Sequence, residues 1–208
     1  MDILPKLLAI LVGGTVGIIA ILIYVKMQQK SWMKPESDVV RWINATHGPI
    51  LAVNNKNIQF YAGVTDIAKH QKKEQKALIE FWDIKDKASL DKMIDWLMKE
   101  GHRADYTGDK KEVAAWDYSR ALSLLSSGYI AGYLQKEEAL MRSLEIGKIC
   151  QSEYSSWDAF MQAYFKGNQL WSSIGLGMKQ NAYASLKKLP NSPYNIPWNL
   201  QLRKDWDQ

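Results

Sequence analysis

Residues 7–25 form an uninterrupted run of 19 residues without a single charge, and this run constrains the rest of the chain. At a rise of about 1.5 Å per residue, a helix of that length spans a hydrocarbon core of about 30 Å. A cleaved signal peptide has a shorter apolar stretch and a small-x-small cleavage site. Here the run continues through Ile23, Tyr24 and Val25 to Lys26, the pattern of a retained anchor. Gly13 and Gly17 stand at G-x-x-x-G spacing, with Gly14 beside them. Two such helices can pack closely through that face as a homodimer.

The charges flanking the run set its direction. Lys6 precedes it, offset by Asp2, whereas Lys26, Lys30, Lys34 and Arg41 follow it. Positive charge concentrates on the cytoplasmic side, so the expectation is a single-pass protein of a cytoplasmic membrane with its C-terminal domain in the cytoplasm. Trp32 fits an interfacial position, and the lysines fit anionic lipid head groups. The chain therefore divides into an anchor and basic juxtamembrane segment (1–34) and a soluble domain (35–208), long enough for one hydrophobic core.

That domain reads as mainly α, a single compact helical unit with at most one short β-hairpin. Ser37 caps a short helix carrying Val39, Val40, Trp42 and Ile43, and His47-Gly48-Pro49 breaks it. Residues 50–61 hold two apolar runs around Asn54-Asn55-Lys56-Asn57, either a hairpin or a kinked helix. Residues 64–82 read as a basic helix. In 87–100, Leu90, Met93, Ile94, Leu97 and Met98 repeat at helical spacing, and Gly101 stops the helix. Residues 128–132 read as a turn and 135–150 as a further helix. Ser155 and Asp158 stand at capping-box spacing before another. Beyond Gly175 and Gly177 lies a last basic helix. Pro190, Pro193 and Pro197 then mark a tail that wraps back through Tyr194 and Trp198.

Two segments carry the candidate site. In 109–127, steps of 100° place Val113, Trp116, Ala121, Leu124 and Gly128 on one face, with Asp117 and Arg120 in its middle. Opposite charges at i, i+3 are close enough to pair, and on an apolar face they are costly unless they do. They form either a buried ion pair tying this helix to a neighbour, or a carboxylate and guanidinium held in a cleft for a ligand or partner. Farther on, Trp157, Phe160, Met161, Tyr164, Asn168 and Trp171 repeat at helical spacing. This aromatic stripe with an amide in it serves either as core or as the wall of a partner-binding groove. The candidate residues are thus Trp116, Asp117, Arg120, Trp157, Tyr164, Asn168 and Trp171.

Several function classes find no support. His47, His70 and His102 are far apart with no carboxylate or second His at ligand spacing, so no metal site and no cofactor is expected. No nucleophile elbow and no P-loop occurs. The net charge is +5, but the basic residues are scattered among 22 acidic ones, and nucleic-acid binding wants a concentrated stripe. Lys69, His70, Lys72, Lys73 and Lys76 read as a solvated helix face. The single cysteine, Cys150, forbids an intramolecular disulfide and reads as a packed small residue.

A family resemblance adds to this. The stretch Ala115-Trp116-Asp117-Tyr118-Ser119-Arg120, with Gly128-Tyr129-Ile130-Ala131-Gly132-Tyr133-Leu134 and Glu137-Glu138-Ala139, resembles the bacterial domain-of-unknown-function family 1266. Phe81-Trp82-Asp83-Ile84, Trp96-Leu97 and Glu100-Gly101-His102-Arg103 are similar to its first block. Ser156-Trp157-Asp158, Tyr164, Gly167 and Trp171 are similar to a later one, and Ile196-Pro197-Trp198 to the last. The resemblance runs over about 78–198. It implies a bacterial, mostly helical domain with no established activity and no catalytic residues to transfer. Its members usually lack an anchor, so the N-terminal run looks like an added tether.

The reading that results is a membrane-tethered, non-catalytic domain whose partners are the bilayer and another protein. By general analogy it suits an immunity or accessory protein of a bacterial secretion or competition system. The alternative is a membrane-associated enzyme with a cleft around Asp117 and Arg120.

Overall fold

Ser37 starts the first helix as its sequence predicts: its hydroxyl accepts from the backbone N–H of Val40 at 3.0 Å. The computed structural model describes residues 33–172 and 175–206. The apolar run, its Gly13/Gly17 face, Lys6, Lys26, Lys30 and Trp32 lie outside the described residues. Among those described, no helix is long and apolar enough to cross a membrane, and no strand is present.

Helix α1 (Asp38–Thr46) buries Val39, Val40, Trp42 and Ile43. Residues Gly48–Val53 form a second short helix, α2, with Pro49 in its first turn, where a missing N–H costs nothing. The hairpin considered for 50–61 is therefore replaced by this helix, a turn through Asn55 (φ 56°) and a 3₁₀ turn, Tyr61–Gly63. No partner strand is needed, because Asn44 on α1 donates its amide to the carbonyls of Ile58 (3.0 Å) and Phe60 (2.7 Å).

The basic helix α3 (Ile67–Trp82) is capped by Asp66 and ends at Asp83 in the left-handed conformation. The amphipathic α4 (Lys87–Lys99) opens on a reciprocal capping box of Asp86 and Ser89 and buries Leu90, Ile94 and Leu97. After a 3₁₀ turn, His102–Asp105, come α5 (Lys111–Ala131), α6 (Lys136–Glu153), α7 (Trp157–Trp171) and α8 (Leu176–Lys187).

Helix α5 is the axis of the domain. It packs against α3, α4, α6 and α7, and residues on every side of it are buried, from Val113 to Ala131. The sequence shows one apolar face because small and polar residues (Ala114, Ser119, Ser126) fill the other contacts. The turn expected at 128–132 is correspondingly shorter. Gly128 stays helical, and Gly132 alone turns the chain at φ 80°. The closest approach to α5 is made by α7. A Cβ on Gly167 would lie 2.5 Å from the Cβ of Trp116 and 2.8 Å from the carbonyl of Val113.

Helix α7 is capped one residue later than its sequence suggests. Ser156, not Ser155, accepts from the N–H of Ala159 at 3.1 Å. Asp158 turns instead to Tyr183 (2.9 Å) and Lys187 (2.8 Å) on α8. The C-terminal tail wraps back on the core through indoles. Trp42, Trp157 and Trp198 lie 4.8–5.1 Å apart, centre to centre. Each also donates its N–H to a carbonyl: Trp42 to Trp198 (3.0 Å), Trp157 to Ile196 (2.8 Å) and Trp198 to Tyr154 (2.6 Å). Three of the chain's nine tryptophans serve this clasp, which needs large apolar bodies with a donor at one tip. Cys150 is fully buried, and burial pushes its thiol well above its ordinary range, in keeping with a packed residue.

Candidate functional site

Asp117 and Arg120 pair one turn apart on α5, as their spacing predicts, and both are buried. The pair belongs to a larger structure. One oxygen of Asp117 accepts from the guanidinium of Arg120 and from the backbone N–H of His102 at 3.2 Å. The other accepts from the backbone N–H of Arg103 at 3.0 Å and from its Nη1 at 3.2 Å. Four donors on one fully enclosed carboxylate tie the 101–103 turn to α5. Arg103 then caps the end of α4 through the carbonyls of Leu97 (2.5 Å) and Met98. Its guanidinium lies over the Tyr118 ring at 5.1 Å.

Arg120 continues outward from this cluster. The same Nη2 approaches Nδ1 of His102 at 2.8 Å. A guanidinium only donates, so Nδ1 is the acceptor and the imidazole proton sits on Nε2. Burial pulls the imidazole below its ordinary range and the Arg120 charge acts the same way, which keeps His102 neutral at pH 7. The guanidinium lies over Trp116 (5.0 Å) and Trp82 (5.8 Å). His102 is flanked by Trp96 (5.2 Å) and Trp171 (5.8 Å).

Most of these side chains gather at one end of a groove of about 1540 Å³, lined mainly by α3 and α5. That end is lined by Trp82, Trp96, His102, Trp116, Arg120, Ser172 and Lys179. Exposed apolar residues rim it, Ile79 at 50 % and Phe81 at 73 %. Farther along, Ser127 donates to Glu74 at 2.5 Å, and Lys56 lies 3.2 Å from the same carboxylate.

Three buried polar atoms at or behind this end have no hydrogen-bond partner: Trp116 Nε1, Arg120 Nε and the Tyr164 hydroxyl. Burying each without a partner costs about 1–3 kcal/mol. Tyr164 stacks edge-on against Trp116 at 5.2 Å, and its burial raises the phenol well above its ordinary range. Asn168 is fully buried and serves two neighbours. Its amide donates to the carbonyl of Ser172, and its Oδ1 accepts from Lys179 at 3.1 Å. The Lys179 ammonium thereby lies over the Trp116 ring at 5.1 Å. Trp171 packs between His102 and Tyr106.

Of the seven residues singled out in the sequence, Trp116, Asp117, Arg120, Tyr164, Asn168 and Trp171 thus meet in one neighbourhood. Trp157 does not, since it belongs to the tail clasp. Trp82, Trp96, His102 and Arg103, marked in the sequence only by the family resemblance, join the site, and so does Lys179, which nothing in the sequence marks. The role of His102 is not visible in the sequence because its hydrogen-bond partner, Arg120, lies 18 residues away on another element. A positively charged neighbour also runs against the acid partner sought for a histidine. Among the described residues no group of His, Cys, Asp and Glu side chains is arranged to hold a metal.

No curated protein and no solved structure matches the chain. The first block of the resemblance, 81–103, lies before the matched span, although it supplies Trp82, Trp96, His102 and Arg103 to the site. What does match is residues 107–198, carrying α5, α6, α7, α8 and the start of the tail: over this span the chain matches the model of the family DUF1266, described as a protein of unknown function.

Proposed function

We propose that this chain is a membrane-tethered, non-catalytic binding domain whose groove between α3 and α5 receives a segment of a partner protein. The observation that carries the reading is the exposure of Phe81 and Ile79 at the rim of a groove walled by tryptophans. Large apolar side chains are held in water at such a position when a partner covers them. The chemistry of Asp117 supports the non-catalytic half. With four donors on its two oxygens and no exposure, it has no lone pair facing the groove for general-base work.

The tether rests on the 7–25 run, and the flanking lysines orient it with the domain on the cytoplasmic side of a bacterial inner membrane. A small tethered domain of this kind suits an immunity or accessory protein of a secretion or competition system, by general analogy. Two measurements test the proposal. Reporters fused to the C-terminus should report the cytoplasm, and a periplasmic signal overturns the orientation. A photo-cross-linker at Phe81 of the full-length chain should capture one discrete protein from membranes. No adduct, or the same ladder of adducts from a position outside the groove, overturns the docking role.

A further inference from the structure

We propose that the tryptophan-lined end of the groove is a carboxylate-recognition subsite, which seats an acidic side chain of the partner segment. The inference rests on the docking reading above and adds the chemistry that the partner must present.

The charged, imidazole and indole groups at this end all donate, and the Ser172 hydroxyl can do either. Arg120 is a fixed cation, Lys179 a second, and His102 presents Nε2–H because its Nδ1 already accepts from Arg120. Trp116 adds an indole N–H, a donor only. The carboxylate paired with Arg120, that of Asp117, has both oxygens filled and is fully enclosed. Two donors of the set, Trp116 Nε1 and Arg120 Nε, are unpartnered on side chains exposed by only 5 % and 9 %. An acceptor-only anion complements such an end, and a neutral or cationic group leaves the donors unpaired.

The shape selects among anions. Trp82, Trp96 and Trp116 line the same end, and Arg120 lies over two of these rings. Flat walls and planar donors suit a planar carboxylate better than a tetrahedral phosphate. Lys179 belongs to the same end, where Asn168 holds its ammonium over Trp116. It is half-buried, and burial holds its ammonium below the usual lysine range.

The full-length chain in detergent, with its tryptophan indoles labelled with ¹⁵N, provides the test. The probe is the N-acetyl methylamide of glutamate, which carries one side-chain carboxylate, against its glutamine counterpart and inorganic phosphate. The Trp116 indole signal, assigned by Trp116→Phe, should shift saturably with the glutamate probe. Binding should be at least about tenfold weaker for the glutamine probe, the loss expected for a hydrogen bond to a charged group. Lys179→Gln should weaken the glutamate probe by about tenfold while leaving the other indole signals in place, which separates loss of binding from loss of fold. No saturable shift, an equal response to the glutamine probe, equal or tighter binding of phosphate, or unchanged affinity in Lys179→Gln each overturns the subsite. Capture from Phe81 that persists while the probe fails removes the subsite and leaves the docking reading standing. The opposite pattern removes the docking reading, and with it the partner's side chain as the source of the carboxylate.

Discussion

Asp117 grips Arg103 twice: Oδ2 accepts both its backbone N–H at 3.0 Å and its guanidinium at 3.2 Å. Arg103 passes that hold to the end of α4 through two carbonyls. A single carboxylate on the central helix thus fixes a turn and the helix before it. Breaking a buried pair from one side leaves uncompensated charge and costs about 3–5 kcal/mol. Asp117→Asn should therefore lower the stability of the domain by roughly that amount in denaturant unfolding. Unchanged stability together with a lost cellular phenotype would instead support the enzyme reading.

Gly101 sits against the same carboxylate. Its φ is +60°, and a Cβ there would collide with Oδ2 of Asp117. Gly101→Ala should cost about 1–3 kcal/mol of stability from backbone strain alone. Gly177 in α8 has nothing within 4 Å of an added Cβ, so Gly177→Ala should stabilise by about 0.5–1 kcal/mol. Thermal unfolding of the two variants side by side checks the contrast.

His47 gives the domain an acid sensitivity. It is fully buried between Thr46 (3.3 Å) and Ser126 (3.4 Å), and burial, aided by the charge of Lys56, lowers its pKa from 6.5 to about 3. The folded state refuses a proton that the unfolded state takes up below pH 6.5. Stability is therefore complete above pH 6.5 and falls as pH drops from there toward 3, by up to roughly 4–5 kcal/mol. His102 is lowered in the same direction, but its exposure makes its share smaller. Unfolding free energies measured from pH 7 to 5 should slope downward, and His47→Gln should remove most of that slope. An equal slope in the variant would contradict the assignment.

Phe81 should be dispensable for the fold. At 73 % exposure it contributes little core, so Phe81→Ser should change stability by less than about 0.5 kcal/mol. The same variant should abolish capture of the partner, as read by co-purification from membranes. A variant that unfolds would show Phe81 to be part of the core.

The sequence is most legible where an element has one wet face. Helix α4 shows its Leu/Met stripe because Asp91, Lys92, Asp95 and Lys99 mark the other side, and it folds as that pattern says. Helix α5 hides its role, because a helix buried all round has no polar face to set the period. Asp117 and Arg120 stand out through charge on an apolar face, and their pairing follows from helical geometry alone. His102 and Arg103 do not, since only the tertiary turn at Gly101 brings them to α5. The cap at Ser156 instead of Ser155 is a one-residue ambiguity between adjacent serines, settled by which hydroxyl reaches the N–H of Ala159. The tail was readable from its prolines and aromatics, but the three indole N–H bonds that hold it depend on carbonyls 39 to 156 residues away.

The central claim is that a groove on a tethered domain holds a partner by its apolar rim and a donor-lined end. Site-specific photo-cross-linking of the full-length chain in its native membranes tests this most directly, with the probe at Phe81 and a control at the exposed Lys148. The account predicts one adduct from position 81 in the membrane fraction, none from position 148, and loss of that adduct in Lys179→Glu. No adduct from position 81, an identical adduct from both positions, or recovery of the full-length chain in the soluble fraction without detergent would contradict it.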